Sequence, residues 1–294
     1  MKLLYIGHTV EDYIYINNET FHKGGGLLYS VAAVVSFLEA GDELFPLTNI
    51  SYNTKYLFNE IYSKVNNLYV SVVDEIPQNH LTLYKDKERD EKYRNITQKL
   101  NIKEKQINFD IFDGILVNMV TGFDINLEDL EFIRENFKKK IFMDVHTLSR
   151  GIDENLKRYF RKIDNFERWI KNIDILQTNE MEIKFVSIYD KLENIVKYLF
   201  DNGLKILLLT KGADGSTIFY LDNNEIKSQN IKPYQAFSDN TVGCGDTYGS
   251  IFFYHYIKTS DPIYSANIAS KVAAKITKYK TIEEFLRLKY DTEK

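Results

Sequence analysis

Residues 238–258 read SDNTVGCGDTYGSIFFYHYIK, a glycine-rich loop that runs into an apolar helical pattern. Gly243 and Gly245 stand just before the helical run, so several backbone N–H groups can point outward at a helix N-terminus and make an anion site. Glycines there remove side chains that would hold a phosphate away, and the helix dipole favours the charge that spreads over a transferring phosphoryl group. Asp246 stands at the edge of that site. In a loose phosphoryl-transfer transition state a base need mainly be placed to take a late proton, and a carboxylate suffices. A plainer reading makes the segment a tight turn whose Asp246 caps the helix, since aspartate is a preferred N-cap residue. Gly245-Asp-Thr-Tyr-Gly249 also imitates a nucleophile elbow, but an elbow follows a strand directly and here a loop precedes it.

Outward from this segment, short β-like runs alternate with helical patterns. KLLYI (2–6), a helix over about 27–40 stopped by Gly41, GILVN (114–118), a helix near 127–138 and IFMDV (141–145) come first. DILQ (174–177) then precedes helices near 179–200, KILLLT (205–210) precedes the turn KGADG, and three helices fill residues 246–290. Apolar strands separated by amphipathic helices predict an α/β protein of three layers, α/β/α, around a mostly parallel central sheet. Ligands then collect at the strand carboxyl ends. Residues 12–22 and about 68–98 break the alternation with β-forming runs such as LYVSVV and LTLY and a charged tip, KDKERDEKYR, and predict a small strand-rich lid. With four prolines and no evident linker, residues 1–294 read as one domain carrying that lid.

Composition narrows the function classes. A net charge of -4 with scattered Lys and Arg leaves no basic footprint for nucleic acid. One cysteine, Cys244, excludes an internal disulfide framework, and the five histidines show no metal-ligand spacing, so a reducing, cytoplasmic setting is expected. The apolar run in MKLLYIGHTV is too short for a signal segment or a membrane span. Of 14 glycines, eight fall in three clusters, Gly24 to Gly26, Gly212 with Gly215, and Gly243, Gly245 and Gly249, which directs attention there. No Walker A pattern occurs, so binding of ATP would need a different phosphate cradle.

The 238–258 segment resembles the second signature, D-T-x-G-A-G-D, of the ribokinase-like (PfkB-type) carbohydrate kinase family. The resemblance makes Asp246 the catalytic base and Gly243, Cys244 and Gly245 the anion hole, with cysteine in place of the usual alanine. Asn240 replaces the signature's first aspartate, which in several members helps form a monovalent-cation site, and so puts potassium activation in doubt. HKGGGLLYSVAAVVSFLEAG (22–41) is similar to the first signature, with Gly25 and Gly26 leading into a helix and Ser30 where many members place asparagine. Physically, glycines let backbone approach a polyhydroxylated ligand, although such a loop-to-helix junction is common.

In YIGHTVEDYIYI, Asp12 matches an aspartate that binds acceptor hydroxyls, and a carboxylate can accept from two neighbouring hydroxyls; a solvated turn is the alternative. Asn179 and Glu182 resemble the family's N-x-x-E element, which acts through water on magnesium and the nucleotide phosphates, but the spacing is also that of a capping box. Thr210, Gly212 and Gly215 match the T-x-G-x-x-G loop around the nucleotide, with Lys211 either near phosphates or solvated. Ala266 and Asn267 resemble an element near the adenine, and Asp144 with Arg150 loosely resembles D-P-N-x-R.

Five motifs in the family's order imply an enzyme that uses ATP and magnesium to phosphorylate a hydroxyl of a small sugar or sugar-like molecule. A nucleoside or a vitamin-like alcohol could be the acceptor instead. A non-catalytic metabolite sensor is the rival that Asn240 and Ser30 suggest, while retention of Asp246 and both anion-hole glycines argues against it. Pairing of two lids would protect an exposed strand edge, so a homodimer through the lid is a further expectation.

Overall fold

Strand Lys2–Ile6 (β1) buries Leu3 and Tyr5 on one side and Leu4 and Ile6 on the other, and these pairs belong to two separate apolar cores. A strand with both faces buried needs cover on both, which is the physical origin of the three layers. The computed structural model describes all residues except 17–18, 83–89, 97–98 and 236–240.

After β1 come Thr9–Ile16 (β2) and Glu19–Gly26 (β3), then helix Leu27–Val35 (α1), strand Glu43–Ser51 (β4), the short helix Asn59–Tyr62 (α2) and strand Val70–Val73 (β5). Gln78–Thr82 (β6), Asp90–Arg94 (β7) and Gly114–Asn118 (β8) precede helix Leu127–Asn136 (α3) and strand Lys140–Asp144 (β9). Two short strands, Arg150–Ile152 (β10) and Arg158–Phe160 (β11), lead to helix Phe166–Lys171 (α4), strand Ile175–Asn179 (β12), helix Leu192–Asp201 (α5) and strand Ile206–Thr210 (β13). The antiparallel Ser216–Asp222 (β14) and Glu225–Ile231 (β15) are followed by helices Cys244–Thr259 (α6), Pro262–Ile276 (α7) and Leu288–Glu293 (α8).

Nine strands form the central sheet in the order β15-β14-β13-β12-β9-β8-β1-β4-β5. The seven from β13 to β5 run parallel, and β14 and β15 close one edge antiparallel. One core joins β1 to α1, α6 and α7 through Leu27, Val31, Phe252, Phe253 and Ala269; the other contains Leu130, Ile133, Ile170, Ile195 and Leu199 of α3, α4 and α5. A second sheet, β3-β2-β6-β7, stands apart from the first. Its inner face carries Asp12, Asn79, Leu81, Glu91 and Tyr93, all buried, and its outer face stacks Tyr13 on His22 at 4.3 Å and on His80 at 4.9 Å.

The predicted strands 2–6 and 114–118 match β1 and β8 residue for residue. Other boundaries differ for local reasons. LYVSVV reads as lid in the sequence, yet Val70–Val73 lies parallel to β4 at the edge of the central sheet, because a short apolar run carries no mark of its distant partner. The strands at the first expected lid segment, 12–22, run from Thr9 to Gly26, and part of 68–98 lies outside the described residues. The helical expectation over 179–200 holds for α5, while Glu182–Phe185 is a single 3-10 turn. Between them Ser187 Oγ accepts the Tyr189 amide at 3.2 Å, an alternative to the helical ladder. Helix α1 ends at Val35, where the Phe37 amide turns back to Val34 O. Among the described residues no helix is long and apolar enough to cross a membrane.

Phe253 of α6 is fully buried against Tyr5 and Phe142 of the sheet. Phe253→Ala should lower unfolding stability by about 3–5 kcal/mol, read from denaturant midpoints at unchanged slope, and a loss under about 1 kcal/mol would contradict this packing.

Candidate active site

Helix α6 begins without a side-chain cap. Helix α7, by contrast, starts at Asp261, whose carboxylate accepts the Ile263 and Tyr264 amides, and α3 starts with a capping box of Asn126 and Asp129. At the head of α6 Gly243 occupies the N-cap position with φ 83°, a left-handed value that a side chain would strain. A Cβ there would also meet the Tyr29 ring at 2.6 Å. The Cys244 amide donates to Thr241 O at 3.1 Å and the Thr247 amide to Gly243 O at 2.9 Å. Among the described residues the amides of Gly243, Gly245 and Asp246 have no acceptor, whereas that of Cys244 is engaged by Thr241. A Cβ built on Gly245 would have no neighbour nearer than Gln177 Nε2 at 3.9 Å, so that turn borders open space.

Asp246 does not cap the helix. Its Oδ1 accepts a hydrogen bond from Asn118 Nδ2 at 2.6 Å, and Asn118 is the last residue of β8. The same nitrogen donates to Ser30 Oγ at 3.2 Å. A second strand-end amide holds the loop from the other side: Gln177 Nε2 donates to Gly245 O at 3.0 Å and to Asp144 Oδ2 at 2.8 Å. The Cys244 thiol, half buried beside Asp246, is pushed up to about 12 by burial and by that carboxylate, so it stays protonated and unreactive at neutral pH.

This turn forms part of the wall of a cleft of about 480 Å³ at the carboxyl ends of the parallel strands. The inner face of the small sheet supplies Asp12, Asn79, Glu91 and Tyr93 to one end. Asp12 Oδ1 accepts from Asn79 Nδ2 at 3.2 Å, and Gly25 leaves the room that its carboxylate fills, since a Cβ there would collide with Oδ2. Arg150 of β10 bonds Glu91 at 3.3 Å and lies over the Phe160 ring, linking the small sheet to the β10–β11 pair. The other end is lined by Thr210, Gly212 and Gly215 with Pro233, Ala273 and Ala274, an apolar slot between β13, β14 and α7.

Asp144 and Glu182, both buried, lie along the middle. Burial, then the charges of Glu182 and Asp246, hold Asp144 well above the usual carboxylate range, and burial raises Glu182. Crowded carboxylates of this kind suit a hard cation with oxygen ligands, which would relieve the repulsion. The N-x-x-E pair forms a reciprocal cap: Asn179 Oδ1 accepts the Glu182 amide, and the Glu182 carboxylate accepts the Asn179 amide at 2.9 Å and its Nδ2 at 2.7 Å. Both Glu182 oxygens are thus engaged, which fits contact with magnesium through water. Among the described residues no group of three or more His, Cys, Asp or Glu is arranged to ligate a metal directly.

Of the expected residues, Asp12, Gly26, Asn179, Glu182, Thr210, Gly212, Gly215 and the 243–246 turn border the cleft, as do Asp144 and Arg150. Three do not. Ser30 is buried beneath Asn118, Gly25 backs Asp12, and Asn267 faces outward with its Nδ2 bonded to Ile263 O at 2.8 Å. Helix α7 reaches the cleft one and two turns later, at Ser270, Ala273 and Ala274, because its inward face has that period, and its C-cap Thr277 follows on the same wall. Lys211 is not on the wall, and Asn240 lies outside the described residues. Asn118, Gln177, Tyr29 and, on the inner face of the small sheet, Asn79, Glu91 and Tyr93 are not singled out as site residues by the sequence reading, although a polar residue closing an apolar strand, as in GILVN and DILQ, is a signal for the first two.

The model of the pfkB family of carbohydrate kinases matches residues 62–285. A sulfate complex of a pyrophosphate-dependent kinase in the ribokinase family superposes with a TM-score of 0.77 at 14% identity over 97% of this chain and 99% of that one. Arabidopsis thaliana ribokinase complexed with ribose and ATP gives 0.73 at 16%, covering 98% and 97%, and Methanocaldococcus jannaschii nucleoside kinase 0.73 at 18%, covering 100% and 98%. These identities show a shared fold, the ribokinase-like one. A search of the curated proteins finds no match. With the family model spanning well over half its length, the chain belongs to the pfkB family of carbohydrate kinases.

Proposed function

We propose that this kinase transfers the terminal phosphoryl group of ATP to a hydroxyl of a small, sugar-like alcohol, with Asp246 as the base. The observation that carries the reading is the uncapped first turn of α6, with free amides beside a carboxylate on the cleft wall. In this mechanism Asp12 orients acceptor hydroxyls, and the reacting oxygen forms its bond to phosphorus as the bond to the leaving diphosphate oxygen breaks. The hydroxyl proton passes to Asp246. The Gly243, Gly245 and Asp246 amides steady the charge of the moving group. Magnesium, when bound, supplies neutralising charge to the donor phosphates; Asn179 and Glu182 through water, and Asp144, are the residues suited to hold it.

ATP as donor is supported by the apolar slot of Pro233, Val242, Ala273 and Ala274, which offers a flat base apolar contact. Pyrophosphate, the donor in one compared structure's description, would leave that slot without a role. The acceptor end is rich in hydrogen-bonding side chains, Asp12, Asn79, Glu91 and Arg150, which favours a compact polyol over an aromatic nucleoside. In this reading the small sheet acts as a lid over the acceptor. Its β7 edge already touches the loop before β11, through the Tyr93 amide and Leu156 O, so a homodimer through the lid would use the β3 edge or the outer aromatic face, and gel filtration decides it.

Purified protein with Mg·ATP and a panel of pentoses, hexoses, polyols, deoxy-sugars and nucleosides should release ADP with at least one acceptor, and no turnover with any would favour a sensor. Asp246→Asn should lose about 10²- to 10⁴-fold in kcat while the KM for ATP stays within about twofold; wild-type turnover in the variant would refute the assignment of the base. Ala274→Phe, which fills the slot, should raise the KM for ATP by roughly tenfold or more and spare that of the acceptor. Unchanged ATP kinetics would remove the slot from the donor site.

A further inference from the structure

We infer that Asn118 is a positioning residue for phosphoryl transfer, fixing Asp246 Oδ1 so that Oδ2 is the oxygen that receives the acceptor's proton. The inference rests on the reading of Asp246 as the base. A carboxylate only accepts hydrogen bonds, so the side-chain amide of Asn118 must turn its nitrogen toward Asp246. The contact is short, 2.6 Å from Nδ2 to Oδ1, as expected of a bond to an ionised acceptor. The second hydrogen of that nitrogen goes to Ser30 Oγ at 3.2 Å, which sets the amide plane from the side of α1. Asn118 is 1% exposed and its backbone is paired in register with Asp144 of the adjacent strand, so the donor is anchored to the sheet.

The geometry gives the arrangement a catalytic meaning. Asp246 lies in the first turn of α6, and its side chain could otherwise rotate about two bonds. With Oδ1 tied down, one oxygen remains to face the cleft, and the cost of orienting the base is met during folding instead of in each turnover. Ser30 acquires a role in the same step: the residue that departs from the first signature supports the amide that holds the base.

Asn118→Asp tests this, because it keeps the shape and replaces the donor by a carboxylate. The titratable groups around Asp246 are Asp144 at the end of β9, Tyr29 on α1 and Cys244 in its own turn, each of which feels its charge. Two apposed carboxylates share a proton more readily than they ionise together, so the variant should lose about 100-fold or more in kcat near pH 8 and recover toward pH 5.5, where the introduced carboxyl, once protonated, donates again. The KM for ATP should stay within about twofold, and Asn118→Ala should lose kcat without recovery in acid. In Asn118→Asp, wild-type kcat near pH 8, or a loss that does not vary with pH, would overturn the inference. If thermal unfolding shows that Asn118→Asp does not fold, Asn118→Ala decides alone: a fall in kcat at constant KM supports the role, and an unchanged kcat, or a changed KM, overturns it. Wild type and Asp246→Asn run alongside. An inactive wild type defeats the kinase reading, whereas an active wild type, an inactive Asp246→Asn and an unaffected Asn118→Asp defeat only the role of Asn118.

Discussion

The leading amides of α6 are left facing a cleft, and the surrounding structure is arranged around that exposure. A helix N-terminus inside a protein usually satisfies those donors with a side chain, as Asp261 and Asn126 do in α7 and α3. Forgoing a cap costs about 1 kcal/mol, which burial of Phe252, Phe253 and Tyr254 along the same helix easily offsets. Two amides on strand ends then fix the turn in place. Asn118 grips the Asp246 side chain and Gln177 grips the Gly245 carbonyl, so the parallel sheet sets the position of both Asp246 and the open first turn of α6.

The carboxyl ends of four neighbouring strands carry polar residues into the cleft or against its wall: Asn118, Asp144, Gln177 with Asn179, and Thr210. Their bodies are apolar and doubly buried, and the polar ending marks where the helices stop covering the sheet. Acidic groups dominate the charged lining; Asp144 is raised above ordinary carboxylate behaviour by burial and by the charges of Glu182 and Asp246, and Glu182 is raised by burial. Such a cleft repels a phosphate donor unless a cation comes with it. In the proposed mechanism the free amides, which attract anions without a formal charge, act where the phosphoryl group passes.

Much of this was legible in the sequence because its signals are local. GILVN and KLLYI are strands whichever neighbours they take, and Gly243, Gly245 and Asp246 advertise a loop-to-helix junction by composition alone. What could not be read was pairing. Val70–Val73 and Gln78–Thr82 have similar patterns, and only the choice of a distant partner sends the first to β4 and the second to β2. Likewise Asn267 and Ala274 lie on one helix, and a two-turn difference in which residues face inward depends on how α7 docks on α6 and β14. Asn118 was hidden for a further reason: its meaning comes from Asp246, 128 residues away in the chain.

The most direct measurement is a crystal structure of the protein with a non-hydrolysable ATP analogue, magnesium and an acceptor that supports turnover. The account predicts the terminal phosphate against the Gly243, Gly245 and Asp246 amides, with the acceptor hydroxyl about 2.6–3.2 Å from Asp246 Oδ2. A terminal phosphate bound elsewhere in the cleft, with Asp246 out of reach of every acceptor oxygen, would contradict it.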